Sequence, residues 1–416
     1  MKKKTIIVYI AFMCIMIGLG ASDSMRGIFS EIFENHFSLS KSQVSIIITV
    51  SYIGNLVFML FGSRMADRYD KKKVCIGILI LWMAALLFYA ATDHYICLLI
   101  GMFVSMGAST LMNTMINILS TPFFGISAGM IVNTLFFTQG IGTSTSQNLI
   151  GRFASNYGHF RLTNLILLVL GVVGTVLLLG VEFPKSISEK EQSEKEKNQK
   201  EKQNRNETTY RKIQNEKQEK SQVHKIYKSR TFLIFTLIFG FYFIAEHGIL
   251  NWWKMYCSQE AGLSAKDSAM YHSLFFGGMT VGRLVFSPLV SKLGEKKSIL
   301  YFGGAGTVLY IAGIVCGDKA LALVSAAGLF LSIIYPTLVL LLRNYFKPDI
   351  IAGATGAIIS AATLFDIGFN AVFGKIVDTV GFGRGIMIFP VSMAGFYLLY
   401  ALYIKITQKQ ETVTCV

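Results

Sequence analysis

The chain has 416 residues, of which 53% are hydrophobic and 15% are charged, whereas soluble domains carry roughly 25% charged residues. Its net charge is +15, but the basic residues lie in short segments between long apolar runs, so the charge indicates membrane topology and no nucleic acid partner. The six cysteines form no CxxC pair. We therefore predict no disulfide framework, no metal site and no cofactor.

Twelve apolar runs are long enough, at about 20 residues, to cross a bilayer as helices. They divide six and six, at 5–30, 40–62, 74–92, 95–119, 126–150, 161–181, 231–256, 267–288, 298–316, 320–343, 352–374 and 384–404. We predict an all-α membrane protein with twelve transmembrane helices in two pseudo-symmetric six-helix halves. The expected domains are an N-terminal half at 1–184, a C-terminal half at 230–405 and a cytoplasmic tail at 406–416.

The start of the chain has the form of a secretory signal peptide, because three lysines precede an apolar run. Eleven further apolar segments follow, so we interpret the run as the first span. Asp23 and Arg26 lie near its end and pair locally in the simplest interpretation. Both remain candidates for lining a substrate cavity.

A loop pattern follows the second span and returns 224 residues later, as Ser63–Lys73 and Ser287–Lys297. Each copy joins two predicted spans, and in transporters such paired halves place the substrate site between them. The charged residues at and near these loops are Asp67, Arg68, Lys72, Arg283, Lys292 and Lys296. In the simplest interpretation they belong to solvated loops that only set topology.

Spans four and five carry uncharged polar side chains at helical spacing. Asn113 and Asn117 share one face, Gln139 and Thr143 share another, and Asn133 lies about 120° from Gln139. Amides and hydroxyls suit a neutral polar ligand such as a sugar, although they also join helices. All five are candidates for lining the cavity.

The segment 185–229 between the halves is rich in Lys, Glu, Gln and Ser. It cannot bury enough apolar surface to offset the entropy of ordering, so we predict a disordered cytoplasmic linker. A regulatory role for it stays open.

Span seven contains Glu246, roughly 22 Å along the helix from its start. Ionisable groups inside spans are costly and indicate function, so Glu246 is a candidate for proton coupling. A structural hydrogen bond is the alternative. Trp252, near the end of the same span, fits either substrate stacking or the interfacial aromatic belt.

Span eleven carries Thr363, Asp366 and Asn370 at spacings of three and four, which gives one polar stripe. Such a stripe faces the bundle interior or water. Asp366 is therefore the second candidate for proton coupling, and Thr363 and Asn370 are candidates for lining the cavity. Packing hydrogen bonds between helices are the alternative.

The positive-inside bias fixes the predicted orientation. With both termini cytoplasmic, that side holds 29 of the 39 Lys and Arg residues. We expect a multi-pass protein of the cell membrane.

The loop pattern resembles the signature of the major facilitator superfamily, Gly-x-x-x-Asp-Arg-x-Gly-Arg-Lys-Lys. The first copy matches it at Asp67, Arg68, Lys71 and Lys72, and the second keeps Gly294, Lys296 and Lys297. The resemblance implies the twelve-helix fold of that superfamily. It also implies a cytoplasmic gate, in which the loop pins neighbouring helices in one access state and releases them in the other. The candidate gate residues are Asp67, Arg68, Lys72, Arg283, Lys292 and Lys296.

A finer resemblance is to the fucose/glucose:proton symporter branch. It is carried by Ala245–Gly248, Trp252, Tyr256, Gly278–Arg283, Tyr335–Thr337, Asn117, Asn133 and Gly142. It implies sugar transport coupled to protons. Asn113 stands where that branch has a carboxylate in span four, so coupling is expected to rely on Glu246 or Asp366, with Glu246 first.

We therefore predict a secondary active transporter of a small polar solute, a sugar or sugar-like compound, working by alternating access as a monomer. An exporter of amphipathic compounds is the alternative, since 13% aromatic residues and 17 Met suit an adaptable apolar cavity. A membrane enzyme or sensor is disfavoured because no nucleophile motif is present. No phosphate-binding GxxxxGK[ST] loop is present either, which disfavours an ATP-driven pump.

Overall fold

The computed structural model describes residues 3–68, 70–124, 128–181, 183, 229–346 and 350–414. Within these ranges the chain is almost entirely helical and has no strand. The helices are α1 (Lys3–Ile28), α2 (Ser30–Phe37), α3 (Lys41–Arg68), α4 (Lys71–Ala91), α5 (Tyr95–Phe124), α6 (Ala128–Phe153), α7 (Tyr157–Leu179), α8 (Arg230–Gln259), α9 (Ala265–Leu293), α10 (Glu295–Val315), α11 (Leu321–Leu331), α12 (Ile334–Leu341), α13 (Ile351–Val380), α14 (Phe382–Gly385) and α15 (Ile388–Thr414). The predicted linker lies outside the described residues, except Ser229, whose hydroxyl caps α8 by accepting from the Phe232 N–H at 3.1 Å.

The all-α membrane fold is confirmed, because each of the twelve predicted spans corresponds to a helix or, for span ten, to α11 and α12 together. In the described ranges eleven helical segments are long and apolar enough to cross a membrane. The remaining one, α6, is more polar. It packs between α1 and α9 inside the bundle, so its polar face does not need to meet lipid.

Some boundaries differ from the prediction. A short helix, α2, follows the first span, and α15 continues to Thr414 through most of the predicted tail. Apolar length marks only the part of a helix inside the bilayer, while Lys, Gln and Glu are good helix formers that extend it beyond.

Span ten, predicted as continuous, is broken between α11 and α12 at Ser332 and Ile333. Pro336 explains the break, because it lacks the N–H that would bond the Ser332 carbonyl and its ring clashes with that carbonyl. Two side chains bond the carbonyls at the break. The Arg283 Nε donates to Ser332 O at 3.3 Å, and the Tyr242 hydroxyl donates to Leu331 O at 3.3 Å. Irregular backbone inside a membrane protein requires such partners.

Two groups of helices make up the bundle, which we call the N-half (α1–α7) and the C-half (α8–α15). Helices pack chiefly within their own half, and the contacts between halves are mainly α6 with α9, α3 with α13 and α1 with α8. The cavity described below lies between the halves. The domain boundaries at 184 and 230 stay predictions, since the joining segment lies outside the described residues.

The two loop copies lie at the same end of the bundle. The start of α3 lies against the end of α13, where Gly374 N–H donates to the Ser45 hydroxyl at 2.8 Å. Successive long helices run in opposite directions, so following them in chain order from this contact places residues 70 and 294 at the opposite end of the bundle. The first residues of α1 and the last residues of α15 lie at that same end. We call that end the repeat end and the other the far end.

Candidate functional site

A cavity of about 510 Å³ lies between the N-half and the C-half. Its volume falls within the range of about 300–1,000 Å³ that is usual for small-molecule sites. Eight predicted residues line it: Asp23, Arg26, Asn113, Gln139, Thr143, Glu246, Arg283 and Thr363. The fold thus brings together residues from α1, α5, α6, α8, α9 and α13.

On the N-half wall, Arg26 is the central buried cation, with 4% of its surface exposed. Its Nε donates to Asn251 Oδ1 at 2.8 Å, and its terminal nitrogens donate to the Tyr52 and Ser51 hydroxyls at 3.2 and 3.3 Å. The guanidinium also lies 4.4 Å from the centroid of the Tyr52 ring. Asn251 belongs to the C-half, so Arg26 joins the two halves at the edge of the cavity.

The rest of the N-half wall includes the carboxylate of Asp23 and several uncharged polar groups. Gln139 Nε2 approaches Asp23 Oδ2 at 3.4 Å, and the Thr143 hydroxyl donates to the Gly20 carbonyl at 3.0 Å. These contacts hold α6 against α1. Asn113 and Asn55, from α5 and α3, complete the amide lining.

On the C-half wall, Asp366 and His247 form a close pair. His247 Nδ1 lies 2.6 Å from Asp366 Oδ2, and Asn370 Nδ2 donates to Asp366 Oδ1 at 3.0 Å. The Asp366 side chain is fully buried, while 24% of the His247 side chain is exposed and lines the cavity. Asp366 therefore lies behind the wall and reaches the cavity through His247.

The His247 ring is stacked between two aromatic rings. Phe243, from the same helix, lies 5.3 Å away with an interplanar angle of 20°. Tyr52, from the N-half, lies 5.1 Å away with an angle of 29°. The Tyr52 hydroxyl also accepts from Asn251 Nδ2 at 3.2 Å. The imidazole thus lies at a contact between the halves.

Other predicted residues lie outside the cavity wall. Asn117 is exposed and is not among the lining residues. Trp252 is fully buried, with its ring 5.0 Å from that of Phe373 and 6.0 Å from that of Phe382. Asn370 is buried behind the wall as a partner of Asp366. The Asn133 side chain lies outside the described part of the chain.

The predicted gate residues do not form one described cluster. The side chains of Asp67 and Arg68 lie outside the described residues. Lys72 Nζ donates to the carbonyls of Leu179 and Val181 at 2.8 and 2.7 Å, within the N-half. Lys292 is exposed, and the backbone carbonyl of Lys296 accepts from Tyr400. Arg283 lines the cavity, deeper than the loop.

The far end is closed by contacts between the halves. Asp378 of α13 accepts from the backbone N–H groups of Lys41 and Ser42, at 3.0 and 2.9 Å, and so caps the start of α3. Lys41 Nζ contacts Glu34 and Gln259. Close backbone approach is also required, since a Cβ on Gly374 would lie 2.1 Å from the Lys41 carbonyl oxygen.

A second set of contacts continues this closure toward the cavity. Lys254 Nζ donates to the Ile28 carbonyl at 2.7 Å, and Asn148 Nδ2 donates to the Ser273 hydroxyl at 2.9 Å. Among the described residues, the hydrogen bonds between the halves all lie at the cavity edge or toward the far end. The structure is therefore a state whose cavity is closed toward the far end.

Several residues of the site were not predicted from the sequence, among them Tyr52, Asn55, His247 and Asn251. His247 could have been predicted, because an ionisable residue inside a span indicates a functional site. Tyr52 and Asn55 lie in a mostly apolar span, where a single tyrosine or amide indicates packing as readily as function. No described cluster of three or more His, Cys, Asp or Glu side chains has the arrangement of a metal site.

Comparison with known proteins gives a family match over most of the chain. The model described as "Major Facilitator Superfamily" matches residues 8–364. The hexuronate transporter of Bacillus subtilis is 21% identical over 388 residues, which cover 90% of this chain and 88% of that protein. A putative glucose/galactose transporter of Helicobacter pylori is 26% identical over 127 residues, but these cover only 30% of this chain and 31% of the relative.

Solved structures of low identity share the fold. A D-xylose–proton symporter has a TM-score of 0.72 at 12% identity, with 96% of this chain and 95% of that chain covered. An inward-facing bacterial homolog of the human lysosomal transporter Spinster has a TM-score of 0.73 at 13% identity, with 97% and 98% covered. The transporter FucP in its outward conformation has a TM-score of 0.63 at 16% identity, with 96% and 99% covered.

Proposed function

Because the chain belongs to the major facilitator superfamily and is a transporter rather than an enzyme, we propose that it carries a sugar or sugar-like solute by alternating access, coupled to protons. The observation that carries this proposal is the central cavity between the halves, closed toward the far end. The resemblance found in the sequence agrees with the family match at the level of the superfamily.

The composition of the cavity wall supports a polyhydroxylated solute. Asn55, Asn113, Gln139 and Thr143 offer both donors and acceptors without a net charge, and Phe136, Phe276 and Tyr335 supply aromatic surface. Amides fix the positions of hydroxyl groups, while aromatic faces cover the apolar face of a sugar ring. The names of the hexuronate and glucose/galactose relatives point to the same chemistry.

Acidic groups at mid-depth of the bundle support proton coupling. Glu246 lines the cavity and Asp366 lies directly behind its wall. A carboxylate inside a membrane bundle is costly, so it indicates a functional role, and proton relays in transporters are one such role. The D-xylose–proton symporter, which shares the fold, is coupled to protons by its name and so supports the same coupling ion here.

We further propose that the repeat end is cytoplasmic and that the protein acts as a monomer in the cell membrane. The positive-inside bias supports this orientation, since most Lys and Arg residues lie toward that end in the sequence. The state described here is then open toward the cytoplasm. The loop residues Asp67 and Arg68 act at the gate that closes this side in the other state.

Ligand screening in proteoliposomes tests the proposed function. We expect one class of hexose, pentose or hexuronate to raise the apparent unfolding temperature and to drive counterflow of the labelled solute. Stabilisation and counterflow confined to amphipathic cations would contradict the proposal and favour the exporter. Asp318→Asn, at an exposed residue away from the cavity, is a control that should behave as wild type.

A further inference from the structure

The acid buried deepest at the cavity is held by two side chains. Asp366 has no exposed surface, its Oδ1 accepts from Asn370 at 3.0 Å, and its Oδ2 lies 2.6 Å from His247 Nδ1. An ionised carboxylate at such a place requires partners of this kind. Since both oxygens are engaged and buried, Asp366 has no direct contact with cavity water.

His247 connects this acid to the cavity. Its side chain is 24% exposed and lines the wall. Its Nε2 has no hydrogen-bond partner among the residues that the structure describes. Nδ1 faces the carboxylate, so the imidazole presents one nitrogen to Asp366 and leaves the other free to accept a proton.

Glu246 stands in a different position. It is half-buried on the wall beside the Tyr242 hydroxyl, and it takes part in none of the ion pairs found among the described residues. A carboxylate there is open to the cavity and suited to accept hydrogen bonds from solute hydroxyls. Glu246 is therefore placed for contact with the solute.

We propose that the coupling proton is carried by the His247–Asp366 pair, with His247 as the group that takes the proton from the cavity, and that Glu246 contacts the solute. This inference rests on the proposed function of proton-coupled transport. A proton from cavity water binds His247 Nε2, while Nδ1–H stays bonded to Asp366. The pair changes from a net charge of −1 to 0, and releases the same proton to water in the other access state.

The position of the pair links its charge to the contact between the halves. Tyr52 of the N-half stacks on the imidazole, and an imidazolium gains attraction from an aromatic face. The Tyr52 hydroxyl is held by Arg26 and Asn251. The charged or titratable groups near the pair are Arg26, Tyr52 and Glu246, and Asp23, Arg283 and Tyr335 line the same cavity. Proton binding thus strengthens a contact that must break when the halves rearrange.

The test compares His247→Gln, Asp366→Asn and Glu246→Gln in proteoliposomes. The readout is the ratio of solute accumulated under a pH gradient to solute exchanged at equal concentrations. We expect this ratio to fall at least ten-fold in His247→Gln and Asp366→Asn. In Glu246→Gln the ratio should stay within two-fold of wild type, while the solute concentration for half-maximal exchange rises. His94→Gln and Asp318→Asn, both exposed, are matched controls that should keep the wild-type ratio.

A ratio that falls in Glu246→Gln but stays at the wild-type value in His247→Gln would overturn the proposal. The proposed transport of sugar would not be affected by that result. Wild type that exchanges sugar but accumulates none under a pH gradient would overturn it as well. If the wild-type protein exchanges no sugar, the proposed function fails. A measurement without solute then tests whether His247 takes up the proton. In that measurement, infrared pH-difference spectra of purified protein should show an imidazole protonation signal that His247→Gln removes and Glu246→Gln keeps. The same signal in all variants would contradict the proton site.

Discussion

The two walls of the cavity differ in their chemistry. The N-half wall carries amides and hydroxyls, with Asn55, Asn113, Gln139 and Thr143 among its lining residues, beside the ionisable side chains of Asp23 and Arg26. The C-half wall carries the His247–Asp366 pair and Glu246 between aromatic side chains. Neutral hydrogen-bonding groups recognise shape and hydroxyl positions, whereas buried ionisable groups respond to protons.

We therefore propose a division of labour at the cavity. The amides and hydroxyls of the N-half wall bind the solute together with Glu246, and the His247–Asp366 pair of the C-half wall carries the proton. Alternating access requires both events to bias the same rearrangement. The contact that joins them is the Arg26–Tyr52–Asn251 cluster at the cavity edge. The predictions below change one wall, the junction or neither.

Arg26→Leu should have the largest effect, because Arg26 belongs to the N-half wall and to the junction. The change removes charged hydrogen bonds, each contributing about 1.5–3 kcal/mol, and leaves Asn251 Oδ1 without its donor. We expect exchange below about one-tenth of wild type, which corresponds to about 1.4 kcal/mol, and a lower apparent unfolding temperature. Counterflow measures the exchange, and a thermal melt measures the apparent unfolding temperature. Wild-type values in both would show that the junction is dispensable.

Asp378→Ala should have the next largest effect, because it weakens the contact that closes the far end. It tests whether the two walls belong to halves that separate at this end. It removes the cap that the C-half places on the start of α3. Loss of such a cap costs about 0.5–2 kcal/mol, a shift of about two- to thirty-fold toward the state open at the far end. Cysteine labelling from the far side, at Leu250→Cys in the cavity, measures the shift. Unchanged labelling would contradict the assignment of this contact to closure.

Asn113→Leu should affect the N-half wall alone. Removing one neutral hydrogen-bonding group costs about 0.5–1.5 kcal/mol, so the solute affinity should fall about two- to ten-fold. The pH at which accumulation is half-maximal should not move, because the proton pair lies on the other wall. Kinetics of uptake at several pH values measure both quantities. A shift of the pH midpoint with no loss of affinity would reverse the division between the walls.

Asp93→Asn should have the smallest effect, since its contacts lie within the N-half and away from the cavity. The bond from His36, at 2.6 Å, and the nearby Arg161 hold the pKa of Asp93 below its ordinary value. The stabilisation is therefore present above an ordinary aspartate pKa near 3.8 and is lost as the pH falls through the lower pKa of the folded state. An exposed pair contributes about 0.2–1 kcal/mol. Thermal melts above and below that pH measure the loss of this stabilisation, with Asp318→Asn as the control at an exposed residue. A change in solute affinity would contradict a local role.

Sequence periodicity predicted the helices and much of the N-half wall. Asn113, Gln139 and Thr143 stand out because polar residues at helical spacing are rare in apolar spans. Trp252 was placed near a helix end, but α8 continues to Gln259, so the side chain is buried in the bundle. Apolar length does not show where a helix stops.

The pairing on the C-half wall could not be predicted in the same way. Asp366 stood out as a charge within a span, but its partner His247 is 119 positions away, on a helix that only tertiary packing brings near. The same holds for Tyr52, which belongs to the other half. The break at Ser332 depends on Pro336 and on donors from Tyr242 and Arg283, and the apolar run conceals it.

The ratio of protons to solute molecules transported tests the division between the walls most directly. Solute is added to weakly buffered proteoliposomes, and the change in external pH is recorded together with labelled solute uptake. We predict that Asn113→Leu raises the solute concentration needed for the half-maximal proton signal and keeps the wild-type ratio, whereas Asp366→Asn lowers the ratio at least ten-fold. A changed ratio in Asn113→Leu, or a wild-type ratio in Asp366→Asn, would contradict the account.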